Sequence, residues 1–189
     1  MKDNSSKYRI KKVAEDLFSK NGFDGTSVDS IAKKANVNKA LIYYYFENKD
    51  DILLSIFQNV QEELIEHLKS GSGDSNPSDT RDKLKKEIEY LKTKKKVIAL
   101  ILMESFKENR GDFLFKSAEI AIEDELNVNI KNNFKESESE KFLMNEFFTG
   151  FIPILTFIAY EDKWCHYFKC RKEKAVDYFL DVFMHSHYK

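Results

Sequence analysis

The sequence is poor in the residues that interrupt regular structure. Its 189 residues include only 6 glycines and 2 prolines, whereas 33% of the residues are charged. This composition excludes a collagen-like chain and an all-β fold, because both depend on frequent glycine or turn residues. Hydrophobic residues make up 42% of the chain, enough to build a packed core. The sequence therefore indicates a helix-rich globular protein of one to one-and-a-half domain lengths.

Cysteine and long hydrophobic runs are also scarce. The two cysteines, Cys165 and Cys170, cannot build a disulfide framework. The first residues, Met1–Arg9, are polar and lack the apolar centre of a signal peptide. The most apolar stretch, Phe147–Tyr160, is shorter than the ~20 residues of a membrane span and contains Pro153. These absences predict a cytoplasmic protein with no membrane segment.

Positive and negative charges nearly cancel over the whole chain, but they do not cancel within its two parts. The net charge of −1 excludes binding to polyanions by bulk charge alone. Residues 1–50 carry 10 basic and 7 acidic side chains, whereas residues 51–189 carry 21 basic and 25 acidic ones. This asymmetry predicts that the N-terminal part meets an anionic partner.

Motifs of common enzyme classes are missing. The sequence has no Gly-rich phosphate loop, no H-E-x-x-H and no G-x-S-x-G, and no carboxylate pair stands out for acid–base work. Cys165, His166 and Cys170 lie close in sequence, but their spacing matches no standard zinc pattern. Cysteines five residues apart also share a helix face poorly. We therefore expect no enzymatic activity, no cofactor, no metal site and no redox-sensing thiol.

Apolar residues recur at helical spacing through most of the chain, and no segment shows the alternation of a strand. The predicted helices cover about 6–21, 26–35, 39–45, 48–68, a segment from 79 or 80 onward, 97–108, 112–134, 137–160 and 164–187. The run Ser70–Asp79, rich in Gly, Ser, Asn, Asp and Pro, predicts a mobile loop. Pro153 is expected to bend or interrupt the penultimate helix.

The second and third predicted helices and the turn Ala35–Asn38 form a helix-turn-helix pattern. Thr26 is the predicted N-cap of the second helix, with Asp29 as its capping-box partner. Asn36 suits a left-handed turn, and Asn38 is the predicted cap of the third helix. A second helix held at a large angle to the first exposes its leading residues for the major groove of DNA.

The outward face of the third helix carries side chains suited to DNA. Ile42 and Phe46, one turn apart, anchor the helix inward, and the outward residues are then Lys39, Ala40, Tyr43 and Tyr44. Lysine donates to guanine or phosphate, tyrosine hydroxyls bond phosphate oxygens, and alanine permits close approach to base edges. The same pattern also fits an aromatic core segment in an ordinary helix pair, so the residues alone leave both interpretations open.

Four segments of this region resemble the N-terminal signature of the tetracycline-repressor (TetR) family. They are Ile10–Phe18, Asn21–Phe23, Thr26–Ala32 and Val37–Lys49. The resemblance covers about residues 8–55 and implies an all-α protein. It further implies a three-helix DNA-binding domain over 1–48 and a helical effector-binding and dimerisation domain over 49–189. Members of this family are typically homodimeric repressors that leave a pseudo-palindromic operator when a small ligand enters the body.

The resemblance also implies DNA contacts for individual residues. The implied phosphate contacts are Thr26, Ser27, Tyr43, Tyr44, Tyr45 and Lys49, and the implied base-facing residues are Lys39, Ala40 and Leu41. Two departures matter, since Ala40 stands where glycine is frequent and Leu41 where threonine is frequent. A leucine cannot hydrogen-bond to a base, so the operator sequence cannot be transferred from a relative.

The body offers aromatic candidates for an effector cavity, which would suit a small apolar or aromatic ligand. The candidate lining residues are Met103, Phe106, Phe113, Phe147, Phe151, Tyr160 and Trp164. Further aromatic candidates are Phe115, Phe134, Phe142, Phe148 and Phe157. Ordinary core packing is the alternative for each of them.

The last two predicted helices, about 137–160 and 164–187, are expected to form a homodimer interface. The segment Phe142–Tyr160 is apolar nearly all round, whereas a surface helix needs only one apolar stripe. Two such helices from each subunit would form a self-complementary four-helix interface. The sequence therefore predicts a ligand-responsive repressor. The alternatives are an adaptor or co-activator that keeps the fold without binding an operator, and a helical carrier or enzyme for apolar ligands.

Overall fold

The computed structural model describes residues 2–70, 80–107, 111–131 and 136–188, and within these ranges it contains helices and no strand. The helices are α1 (Lys2–Asn21), α2 (Val28–Ala35), α3 (Lys39–Tyr45), α4 (Lys49–Ser70), α5 (Thr80–Thr93), α6 (Lys95–Ser105), α7 (Gly111–Lys131), α8 (Glu136–Asn145), α9 (Ile152–Phe168) and α10 (Ala175–His187). The all-α prediction is confirmed. Residues 71–79 of the predicted loop, including the candidate cap Asp79, lie outside the described residues.

Helices α1, α2 and α3 form a small N-terminal head around buried apolar side chains. Ile10, Phe18 and Ile31 are almost completely buried there because the helical spacing places them on the inner faces of α1 and α2. The rings of Phe18 and Phe23 lie 5.0 Å apart at the turn that follows α1. The first two helices therefore bury the faces that the apolar spacing of the sequence predicts.

The start of α2 differs from the predicted capping. The prediction that Thr26 caps α2 is wrong, because its buried hydroxyl donates to the Gly22 carbonyl at 2.9 Å. Ser27 is the N-cap instead, and its hydroxyl oxygen accepts from the Ser30 amide at 3.1 Å. The capping box with Asp29 therefore does not form.

The end of the chain also differs from the predicted pair of helices. The prediction of a break near residues 161–163 is wrong, since α9 continues to Phe168. Lys169 then takes a left-handed conformation with φ 54°, and a short 3₁₀ turn, Lys172–Lys174, leads into α10. The break lies there because a left-handed cap ends a helix, whereas Glu161, Asp162 and Lys163 do not.

Helix α8 passes into α9 through a π-helical turn, Glu146–Phe151. The amide of Ile152 donates to the carbonyl of Phe147, five residues earlier. Pro153 lacks an amide hydrogen and directly follows this turn. The predicted interruption of the penultimate helix is therefore present as a π turn.

Glu138–Phe168 is long and apolar enough to cross a membrane by length and composition, a test that core helices of soluble proteins also pass. The predicted limit at Phe147–Tyr160 was too short, because the helical path continues on both sides of it. Only 28% of its most apolar stretch is buried inside the chain. Much of this apolar surface therefore has no cover within the described residues.

The main core runs without a break from the head into the body. Buried residues of α4, such as Phe57, join Ile10 of the head to Ile101 of α6 and Ile158 of α9 in one cluster. A smaller cluster lies between α5 and α10 around Ile88 and Leu180. Head and body therefore share one packed core. The domain boundary at residue 48 stays a prediction.

Candidate nucleic-acid interface

The turn between α2 and α3 is fixed by local hydrogen bonds. Asn36 has φ 51°, the left-handed conformation predicted for it. The amide of Val37 donates to the Ala32 carbonyl at 3.0 Å, which closes the turn. Asn38 caps α3 as predicted, because its side-chain oxygen accepts from the Leu41 amide at 2.7 Å. The direction of α3 is therefore set by short-range contacts.

Helix α3 buries one face and presents the other to solvent. Ile42 and the C-capping Phe46 are buried, as the spacing predicts. On the opposite face Tyr43 is 51% exposed and Tyr44 71% exposed, and the predicted residues Lys39 and Ala40 are exposed beside them. The structure thus brings four predicted contact residues onto one accessible surface, which we call the α3 face (Lys39, Ala40, Tyr43, Tyr44).

An exposed ion pair crosses from the α3 face to α2. The Lys39 ammonium donates to the Asp29 carboxylate at 2.9 Å, and this hydrogen bond raises the pKa of Lys39. Ser27 lies exposed at the start of α2, close in sequence to Asp29. The charge of Lys39 is therefore held at the surface without being buried.

The remaining predicted contact residues lie further inside. The Thr26 side chain is 1% exposed, and Leu41 and Tyr45 are half-buried against the head. The Lys49 ammonium donates to the carbonyls of Phe23 at 2.7 Å and Thr26 at 2.9 Å. It also lies 4.2 Å from the centre of the Phe23 ring. Lys49 is thus held by the head itself in this structure.

The helix-turn-helix lies inside a region that matches a known family. Residues 10–56 match the family described as "Bacterial regulatory proteins, tetR family". This range contains α2, α3 and the complete α3 face. This N-terminal region belongs to the TetR family.

Characterised relatives match the chain over part of its length. The "Fatty acid metabolism regulator protein" of Bacillus subtilis is 31% identical over 113 residues, which are 59% of this chain and 50% of that protein. The "Biofilm operon icaADBC HTH-type negative transcriptional regulator IcaR" of Staphylococcus epidermidis is 40% identical over 52 residues, 28% of each chain. The matches therefore span half or less of these relatives.

Solved structures share the fold over nearly the whole chain. The fatty acid degradation regulator FadR from Bacillus halodurans has a TM-score of 0.62 at 20% identity, covering 95% of this chain and 94% of that one. FadR from Bacillus subtilis in complex with stearoyl-CoA has a TM-score of 0.57 at 20% identity, covering 93% and 96%. The predicted architecture of an N-terminal helix-turn-helix and a helical C-terminal part is confirmed.

The predicted effector residues do not share one cavity. Met103 and Phe106 are 66% and 85% exposed near the end of α6, and they do not line the cavities that the other candidates line. Phe113 is buried in the main core. Four residues do line cavities: Phe147 and Phe151 on the π turn, and Tyr160 and Trp164 on α9. Phe134 lies outside the described residues.

Two apolar cavities of ligand size are present in the body. The α7–α8 cavity, of about 510 Å³, is lined by Phe115, Ala118, Glu119, Ile122, Glu140, Leu143, Met144, Phe147 and Phe148. The α9–α10 cavity, of about 440 Å³, is lined by Pro153, Thr156, Phe157, Tyr160, Glu161, Trp164, Cys170, Ala175, Tyr178, Phe179 and Val182. The sequence analysis missed the acidic residues of the α7–α8 cavity. One signal for them was available, since Glu119 follows Phe115 by one helical turn.

A smaller, more polar cavity of about 110 Å³ lies behind the π turn. His187 is almost buried there, with its Nδ1 2.7 Å from the Thr149 hydroxyl and its Nε2 3.7 Å from the Glu146 carboxylate. A side chain at Gly150 would reach within 3.0 Å of the His187 ring, so only glycine fits without displacement. Among the described residues, no group of three or more His, Cys, Asp or Glu side chains is placed to hold a metal ion.

Cys165 and Cys170 lie close together although they are five residues apart in the sequence. The helix ends between them, and the Cys170 amide donates to the Cys165 carbonyl at 3.0 Å. Both thiols are free, and burial raises the pKa of Cys165. The expectation that these cysteines share a helix face poorly assumed a continuous helix. The left-handed Lys169 ends the helix before Cys170.

Proposed function

We propose that this chain is a transcriptional regulator that binds a pseudo-palindromic DNA operator as a homodimer and responds to a small apolar or aromatic ligand. The observation that carries the proposal is the α3 face, which no described part of the chain covers. Its lysine and tyrosines are groups that bind phosphates and base edges. A regulatory role in the cytoplasm, as a repressor, agrees with the negative regulator among the relatives.

The exposed apolar surface of α9 and α10 supports the homodimer. Tyr160, Trp164, Tyr178 and Val182 are each about half-exposed or more along these two helices. Soluble monomers rarely leave a contiguous apolar surface of this kind uncovered. The same two helices from a second copy would cover it. Operator binding then requires the two α3 helices to lie about 34–36 Å apart, the spacing of successive major grooves.

Contacts at the end of α6 support a route by which ligand binding in the body would act on the head. The Lys107 ammonium lies 2.7 Å from the nearly buried Glu104 carboxylate and 2.5 Å from Asp24 in the turn after α1. Displacement of α6 would therefore act on the turn that precedes α2. In a dimer, such a displacement changes the separation of the two α3 helices, and DNA must weaken ligand binding by the same factor.

Selection from random duplex DNA, followed by gel-shift titration, tests the proposal. We expect Lys39→Ala to weaken binding to the selected operator and, if Lys39 contacts phosphate, to reduce the salt slope by ~1. Tyr44→Phe removes one exposed hydroxyl and is expected to weaken binding as well. Lys33→Ala, an exposed lysine at the end of α2, serves as the control.

Both α3 variants binding the operator with wild-type affinity would contradict the role of the α3 face. Failure to select any duplex sequence would favour the adaptor or co-activator instead. Release of DNA on ligand binding separates the regulator from a carrier of apolar ligands, which would bind its ligand without any effect on DNA.

A further inference from the structure

We infer that the α7–α8 cavity binds a lipophilic cation, in which an aromatic or alkyl body carries one delocalised or quaternary positive charge. The inference rests on the proposed function, because it names the chemical class of the ligand to which the regulator responds. It follows from three properties of the cavity: its size, its exposed aromatic rings and its charged residues.

The size of the cavity suits a small molecule. Its volume of about 510 Å³ lies within the ~300–1,000 Å³ of typical ligand pockets. It is open to solvent and is lined by α7 on one side and by α8 with the π turn on the other. A partner helix, about 10–12 Å wide with its side chains, needs a long groove, so the dimensions favour a compact ligand.

The cavity presents aromatic rings that the chain does not cover. The ring centres of Phe115 and Phe147 lie 5.3 Å apart, and Phe148 packs edge-on against Phe147 at 4.9 Å. Phe115 is 58% exposed and Phe148 57% exposed. Exposed ring faces attract cations through the negative charge density above the ring, in addition to apolar contact.

The charged residues that line the cavity are both acidic. Glu119 lies on α7 and Glu140 on α8, so a carboxylate faces the cavity from each side. Among the described residues, no lysine, arginine or histidine lines it. Neither carboxylate has an ion-pair or hydrogen-bond partner among the described residues. A ligand cation would therefore be attracted from both sides, whereas a fatty acid or another anionic amphiphile would be repelled.

Tetraphenylphosphonium and tetraphenylborate test this inference directly, because they have nearly the same size and shape but opposite charge. Binding of each to the full chain without DNA is measured by equilibrium dialysis. We expect the cation to bind about tenfold more tightly than the anion, given two partly exposed carboxylates and open aromatic rings. Tighter or equal binding of tetraphenylborate would overturn the inference, as would the absence of binding by tetraphenylphosphonium.

Charge variants test the role of the two carboxylates. The double variant Glu119→Gln/Glu140→Gln is expected to lose about tenfold in tetraphenylphosphonium affinity and to bind tetraphenylborate no less tightly. Glu66→Gln/Glu89→Gln, at two exposed glutamates on α4 and α5, is the control for the change in net charge. Unchanged cation affinity in the double variant would overturn the inference.

A second pair of variants tests the position of the site. Phe148→Ala is expected to weaken cation binding, whereas Tyr167→Ala, which removes an exposed ring of α9 outside both cavities, leaves it unchanged. The reverse result would place the cation elsewhere and overturn the inference.

Operator binding, measured separately in the same samples, distinguishes the two proposals. A chain that binds DNA but not the cation refutes only the ligand class. A chain that binds the cation but no DNA refutes only the proposed function.

Discussion

Lys49 shows at the scale of one residue how the head is held on the body. Its ammonium donates to two backbone carbonyls of the turn between α1 and α2, while its own backbone begins α4. The Phe23 ring beneath the ammonium adds a cation–π contact. One side chain thus joins the first helix of the body to the loop that precedes the helix-turn-helix.

Replacing Lys49 by methionine is expected to lower the free energy of unfolding by about 1.5–3 kcal/mol, the usual contribution of hydrogen bonds to a charged group. The physical reason is that two carbonyls lose a charged donor that no methionine atom replaces. Urea denaturation followed by circular dichroism measures the change. Lys33→Met is the control, because Lys33 is exposed at the end of α2, and an equal loss in both variants would contradict the role given to Lys49.

At the scale of elements, α9 is fixed to its neighbours by charged groups. The Glu161 carboxylate is 2% exposed and accepts from Lys92 of α5 at 2.7 Å. Next to it, Asp162 lies 2.5 Å from both Lys95 of α6 and Lys172 of the 3₁₀ turn. These pairs hold α5, α6 and the connection to α10 around one helix.

Removing only one member of the ion pair between Lys92 and Glu161 should lower the stability of the protein. Lys92→Met leaves the Glu161 carboxylate buried without its partner, and we expect a loss of about 3–5 kcal/mol in the free energy of unfolding. Lys92→Met/Glu161→Met removes both charges and should recover most of that loss. Chemical denaturation of the three proteins at pH 7 provides the comparison. A double variant less stable than Lys92→Met would show that the pair is not the cause.

Asp162 should contribute a pH-dependent part of the stability. Hydrogen bonds from Lys172 and then from Lys95 lower the pKa of Asp162 to about 2, against an ordinary value near 3.9. Its contribution is therefore fully present above about pH 4 and is lost as the pH falls towards 2. Asp162→Asn should be less stable than the wild type at pH 6, and the two should converge near pH 2. A constant difference across this range would refute the assignment.

The sequence allows prediction of elements whose signals are local. The left-handed Asn36, the Asn38 cap and the inward Ile42 lie within ten residues of one another, so α3 and its exposed face follow from short-range chemistry. The start of α2 was misplaced because Thr26 and Ser27 are both good caps. The choice between them depends on the burial of Thr26, which is a tertiary property.

The cavities and the end of α9 were not predictable in this way. Apolar periodicity shows which residues leave water but not whether they meet a neighbour or an empty space. Phe113 and Phe147 therefore look alike in sequence, although one is core and the other lines a cavity. The end of α9 depends on Lys169, a residue with no intrinsic preference for the left-handed conformation.

At the scale of the whole molecule, the exposed apolar surface of α9 and α10 is the proposed dimer interface. Val182 is 71% exposed and lines the α9–α10 cavity, so Val182→Glu should leave the fold of the single chain intact. We expect this variant to be monomeric by light scattering after gel filtration and to bind the operator much more weakly, because two linked heads are required. Met103→Glu, equally exposed on α6, is the control. A dimeric Val182→Glu protein would place the interface elsewhere.

The π turn between α8 and α9 determines the direction in which the side chains of α9 project around the helix axis. Each residue of an α-helix advances the chain by about 100°, and a π turn holds one residue more than an α-helical turn. Deleting one residue within Glu146–Phe151 would replace the π turn by an α-helical turn and rotate α9 relative to α8 by about that angle. Glu161 would then swing away from Lys92, and Trp164 would leave the surface it shares with α10. A single codon in this turn thus controls which side of α9 faces the protein and which faces outward.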